Sequence, residues 1–169
     1  MSVSNTIRSG RLLVCGLLFV AMAAQAQAPN IPALVKTALG DGIVPYAGVK
    51  PVVADFTGDG KPDLAVVADF NKKLATWLKR GTVILNLDSP SLAPMRPDNE
   101  QHFCFGLLVL DNMQPDQKTI FYGCFTGWHL VPASKPGSGA ALDLDMDSGS
   151  TTRLYYDGSR YRTRVVHRN

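Results

Sequence analysis

Little in this sequence marks an enzyme. It has no Gly-x-Ser-x-Gly, no His-Glu-x-x-His and no glycine-rich phosphate loop, and its three histidines stand apart. Those absences exclude the common hydrolase, metalloprotease and nucleotide-binding signatures, although carboxylate pairs of the glycosidase kind assemble in space and leave no spacing to read. No repeat of 20 to 50 residues runs along the chain, which excludes a propeller or solenoid closed by this chain alone. No apolar run reaches the roughly 20 residues needed to cross a bilayer. Charge is scarce as well: the formal net charge is +3, and it falls to about +1 without Arg8 and Arg11, too little to draw the protein onto nucleic acid or anionic lipid.

Arg8 and Arg11 precede a short apolar run, Leu12 to Ala24, and Ala24-Gln25-Ala26 supplies the small residues of a cleavage site. Residues 1–26 therefore read as a secretory signal peptide, and the mature protein is expected in the periplasm or outside the cell with no membrane anchor. Residues 29–169 are enough for one domain with a hydrophobic core and too few for two. Of three cysteines, Cys15 leaves with the signal. Cys104 and Cys124 remain, and in an oxidising compartment they are expected to pair, a closure worth on the order of 3 kcal/mol in the chain-entropy account; two free thiols are the alternative. His102 and His129 lie near them in sequence, without the spacing of a zinc site.

Periodicity predicts an α+β fold, mainly antiparallel sheet with one or two N-terminal helices. Ile31, Leu34, Val35, Ala38 and Leu39 share a helical face, with Asn30 as cap, Pro32 in the first turn and Gly40 as stop. Asn71 to Lys79 is a second helix candidate, or a strand. Val52 to Ala54, Leu64 to Ala68, Thr82 to Leu87, Phe105 to Leu110, Thr119 to Phe125 and Trp128 to Val131 read as strands. Leu142, Leu144 and Met146 alternate with Asp143, Asp145 and Asp147, so one face of that strand is apolar and the other acidic. Thr151 to Tyr156, the hairpin signal Asp157-Gly158 and Arg160 to Val166 then complete a C-terminal three-stranded meander.

The most specific segment is Asp55-Phe56-Thr57-Gly58-Asp59-Gly60-Lys61-Pro62-Asp63. Oxygen-bearing side chains at alternate positions of a tight loop suit a hard cation such as calcium, which takes six to eight oxygens. Gly58 and Gly60 permit the curl. The loop is not an EF-hand, because its twelfth position is Val66 where a bidentate Glu is required. With the apolar strand Leu64-Ala65-Val66-Val67 it resembles the calcium loop of FG-GAP and VCBS repeats. That resemblance implies a calcium site held by Asp55, Thr57, Asp59, the carbonyl of Lys61 and Asp63. Thr57 stands where the family usually has Asn or Asp, which implies weak affinity, in the 10⁻⁴ to 10⁻³ M range of extracellular modules.

Other clusters carry less. Alternate carboxylates along one strand lie about 7 Å apart, so Asp143, Asp145 and Asp147 read as a solvated face and not as one ion's cage. Arg153, Arg160, Arg162, Arg164 and Arg168 make the last hairpin basic, either as cross-strand partners of acids or as a polyanion site. The stretch Leu154 to Arg162 is similar to a closing hairpin of exported bacterial proteins that carry a calcium loop, and its aromatics read as packing. Trp77 and Trp128 read as core. The expected role is a calcium-stabilised binding domain, its partner another exported protein; an inhibitor or immunity protein of a secreted hydrolase and a carboxylate hydrolase are the alternatives.

Overall fold

The computed structural model of the protein describes residues 28–69, 82–89, 92, 94 and 105–166. The signal segment 1–26, the helix candidate at 71–79, Trp77, Cys104 and Arg168 lie outside the described residues. Helix α1 (Ile31–Leu39) forms where the apolar spacing places it. Asn30 caps it by accepting the Ala33 amide at 3.2 Å, and Gly40, at φ +112°, ends it by donating to the Lys36 carbonyl. Val35, Ala38 and Leu39 are fully buried.

The strands divide into two sheets. The first holds β1 (Val44–Pro45), β2 (Val52–Ala54), β3 (Asp63–Asp69), β4 (Ile84–Asn86), β5 (Phe105–Leu110) and β6 (Lys118–Gly123). Its order is β1-β3-β5-β6-β4, and β2 lies beside β3. The pairs are antiparallel except β4 with β6, which run parallel. The second sheet is β7 (Phe125–Val131), β8 (Ala141–Met146), β9 (Thr151–Tyr156) and β10 (Tyr161–Val166), in the order β10-β9-β8-β7.

The molecule is mostly β, and the predicted three-stranded meander has a fourth member. The run Thr119 to Phe125 does not form one strand: the chain leaves the first sheet after Gly123 and enters the second at Phe125. Residues 125–131 then pair along β8, with a bulge between Phe125 and Gly127. No Gly-Pro or Asn-Gly signal marks that corner, so the aromatic and β-branched residues on both sides read as continuous.

Burial explains why β3 is apolar at every position from 64 to 68. Leu64, Val66 and Ala68 face α1, with Leu108, Leu110, Ile120 and Tyr122 beside them. Ala65 and Val67 face the second sheet, where they meet a core containing Leu107, Val109, Phe121, Leu142, Leu144, Met146 and Leu154. A strand covered on both faces loses the polar alternation of a half-wet one. Each fully buried Leu or Val adds about 1.5–3 kcal/mol. The layers are thus helix, sheet, sheet, and the loop between β2 and β3 emerges at one end of the middle layer.

Candidate metal centre

The β2–β3 pairing sets Ala54 opposite Asp63, so the loop begins and ends at a closed neck. Within it each carboxylate gathers backbone amides. Asp55 Oδ1 accepts the Gly58 and Asp59 amides at 2.6 and 3.2 Å, and its Oδ2 accepts the Gly60 amide at 2.8 Å. Asp59 Oδ1 accepts the Lys61 amide at 2.9 Å. The Asp59 contact is an Asx turn, in which a short acidic side chain replaces the carbonyl of a backbone turn, and Asp55 reaches further, to amides three to five residues on. Gly58 and Gly60 have φ of +79° and +82°, the left-handed region that side chains avoid.

Asp63 closes the curl from inside. It is fully buried, and its Oδ2 accepts the amides of Phe56 and Thr57 at 2.8 and 3.0 Å and the Thr57 hydroxyl at 3.3 Å. Its Oδ1 accepts the Asn112 amide at 2.7 Å. Asn112 belongs to a 3₁₀ turn, Asp111–Met113, that follows β5, and it sits at φ +52°. The β3–β5 register pairs Leu64 with Leu110, so the next step sets Asp63 opposite Asp111.

Asp111 is therefore a fourth carboxylate that loop spacing could not reveal. Its Oδ1 accepts the Tyr161 hydroxyl at 2.7 Å. Partial burial pushes its carboxyl above the usual carboxylate range, and the nearby charges of Asp63 and Asp59 push the same way. Asp59 moves oppositely, lowered first by the Lys61 amide and further by the Asn112 and Thr57 side chains. Burial and the bond to Asp111 raise the Tyr161 phenol. Asn112 Oδ1 is buried without a hydrogen-bond partner.

The residues suit a hard cation in charge and in donor type. A carboxylate offers about four lone pairs; Asp63 Oδ1 and Asp55 Oδ2 each take a single amide and keep capacity, and the orphaned amide oxygen of Asn112 is a neutral ligand of the kind calcium accepts. The arrangement is not yet a cage, since among the described residues no three Asp, Glu, His or Cys side chains are grouped to hold an ion. Thr57 points its hydroxyl at Asp63, while Asp59 and Lys61 are exposed at the loop's tip.

A second loop braces this one. Ala140 donates its amide to the Asp55 carbonyl at 2.7 Å. At Gly139 an added Cβ would lie 1.8 Å from the Phe56 carbonyl oxygen, and at Gly58 one would lie 2.8 Å from the Gly137 oxygen. Gly137-Ser138-Gly139 reads in sequence as an ordinary turn, and only the backbone approach shows why side chains are missing there.

The acidic strand β8 is built differently. Asp143 is buried and gripped by Arg153 through Nε at 2.6 Å and Nη2 at 2.9 Å. Asp145 meets His129 Nε2 at 2.9 Å and accepts the Thr151 hydroxyl at 3.0 Å. Asp147 is exposed. The expected solvated face thus includes one buried ion pair, because β9 places an Arg directly opposite Asp143. The hairpin aromatics pack as expected, with the Tyr161 ring edge-on to Phe121 and Tyr156, and half-buried Trp128 lies against the core between the sheets.

Compared with known families, residues 47–78 match the FG-GAP repeat. The match spans the loop, β2 and β3. No curated protein and no solved structure matches the chain.

Proposed function

We propose that this FG-GAP-like protein, whose repeat points to a binding or adhesion type of domain, is an exported module that takes one calcium ion at the end of its middle sheet. Asp55, Thr57, Asp59, the Lys61 carbonyl and Asp63 hold the ion, and Asp111 and Asn112 complete the oxygen set from the turn after β5. The ion's part is structural: it offsets the repulsion that Asp59 and Asp63 exert on Asp111, and it ties β2, β3 and β5 together. The observation carrying this reading is that Asp63 and Asp59 both act through their charge on Asp111, and that these three acids form no ion pair with any described Lys, Arg or His, the nearby Lys61 charge reaching only Asp59. Amides supply only partial charges, so a net negative centre persists.

Export rests on the N-terminal segment, and the compartment implies a Cys104–Cys124 bridge. Pairing of Phe105 with Gly123, the covalent neighbours of those cysteines, supports it. In this reading the module binds another exported protein and is not a catalyst, in keeping with the binding or adhesion character of the FG-GAP repeat.

Melting the mature protein in calcium and in chelator tests the centre. At millimolar calcium, a few times a Kd in the 10⁻⁴ to 10⁻³ M range, mass action raises stability by about 1 kcal/mol, a shift of a few degrees. Asp59→Ala removes that shift, and coincident curves for the wild-type protein in calcium and chelator overturn the proposal.

A further inference from the structure

A cavity of about 360 Å³ lies against the two braced loops, lined by Thr57, Ser134 and Gly137 to Gly139 together with Arg153, Tyr155 and Arg164. Its volume falls at the lower end of small-molecule sites. The electrostatics of its floor are unbalanced. The β9–β10 register sets Arg153 directly opposite Arg164, and like charges in that relation repel. Arg153 is neutralised by Asp143. Arg164 makes no ion pair among the described residues; its guanidinium lies 5.5 Å from the centroid of the Tyr155 ring.

The one acid in the lining is already spent. Asp157 accepts from Ser159, Arg160 and Arg162, which hold its carboxyl far below the usual carboxylate range. The cavity therefore presents an uncompensated cation next to an aromatic ring. Ser134 and Tyr155 add hydroxyls that make no hydrogen bond to another described residue, while Tyr156, next along β9, turns its ring to the core side against Tyr161.

We propose that this cavity binds an acidic saccharide of the uronate type, its carboxylate against Arg164 and its ring hydroxyls against Ser134 and Tyr155. A guanidinium matches a carboxylate's two oxygens and a ring of hydroxyls matches the remaining donors and acceptors. Thr57 is the one residue this cavity shares with the metal centre, and the carboxylate contact at Arg164 uses none of the calcium ligands, so the two sites are tested separately.

Calorimetric titration of the mature protein with D-glucuronate, D-glucose and acetate decides it. The expected result is saturable binding of glucuronate with a Kd on the order of 1 mM, with glucose and acetate at least about tenfold weaker. Arg164→Gln, exposed and checked by an unchanged melting curve, weakens glucuronate about tenfold and leaves glucose unaffected. No saturable heat with glucuronate overturns the proposal. Equal affinity for glucose or acetate, or an Arg164→Gln protein that binds like wild type, does so too.

Discussion

Two stretches of this chain carry three aspartates each, and the fold treats them in opposite ways. Along β8, Asp143 faces Arg153 and Asp145 faces His129, so these two acids are met by side chains able to carry opposite charge, and Asp147 lies exposed just past the strand. In the β2–β3 loop, Asp55, Asp59 and Asp63 are met by amides. Amides satisfy lone pairs without cancelling charge. Only the second arrangement leaves a use for a cation, although both segments look alike by composition.

The sharpest way to break the contrast is to delete its buried member. Asp63→Ala strands the Phe56, Thr57 and Asn112 amides away from their acceptor, and a loss of about 3–5 kcal/mol is expected by denaturant unfolding. Gly139→Ala comes next, at about 2–3 kcal/mol, because its Cβ must displace the Phe56 backbone. Calcium does not rescue that loss if the bracing is purely steric. On the other side of the comparison, Asp143→Ala leaves Arg153 without its partner and costs about 2 kcal/mol, a figure reduced from fully buried pairs because Arg153 keeps some solvent. That loss is indifferent to calcium.

The smallest effect has a distinctive sign. Asp111 has its carboxyl raised in the folded protein, so folding favours the neutral form. The stability this contributes is present below the unfolded value near pH 3.9 and is lost as pH climbs through the higher folded value. Asp111→Asn, which can still accept from Tyr161, is therefore expected to stabilise the calcium-free protein at pH 7 by about 0.5 kcal/mol, discounted for partial exposure. The gain fades toward pH 3, and the variant's response to calcium is smaller than wild type. Thermal melts across pH with chelator check the first part, and melts with calcium the second.

Much of this was readable from local pattern. Asn30, Pro32 and Gly40 bracket α1 because capping is a matter of a few neighbouring residues. Phe105 to Leu110 and Thr151 to Tyr156 form as strands with those bounds. The loop's amide-gathering curl follows from Asp and Gly at fixed offsets. What escaped is what depends on pairing between distant segments: Asp111 joins the loop through the β3–β5 register, and the glycines at 137 and 139 matter only through the backbone they touch, whereas Asp143 with Arg153 is one of the cross-strand partnerships that the alternating acids and the basic hairpin offer. The parallel pairing of β4 with β6 likewise has no sequence marker.

The most direct test is a calcium titration followed by amide NMR of the mature protein. Uncompensated charge confined to the loop predicts saturable shifts at Gly58, Gly60 and Asn112, including the Asn112 side-chain amide, with Asp143, Asp145 and Arg153 unmoved. Shifts centred on β8, or none anywhere at millimolar calcium, would contradict the account.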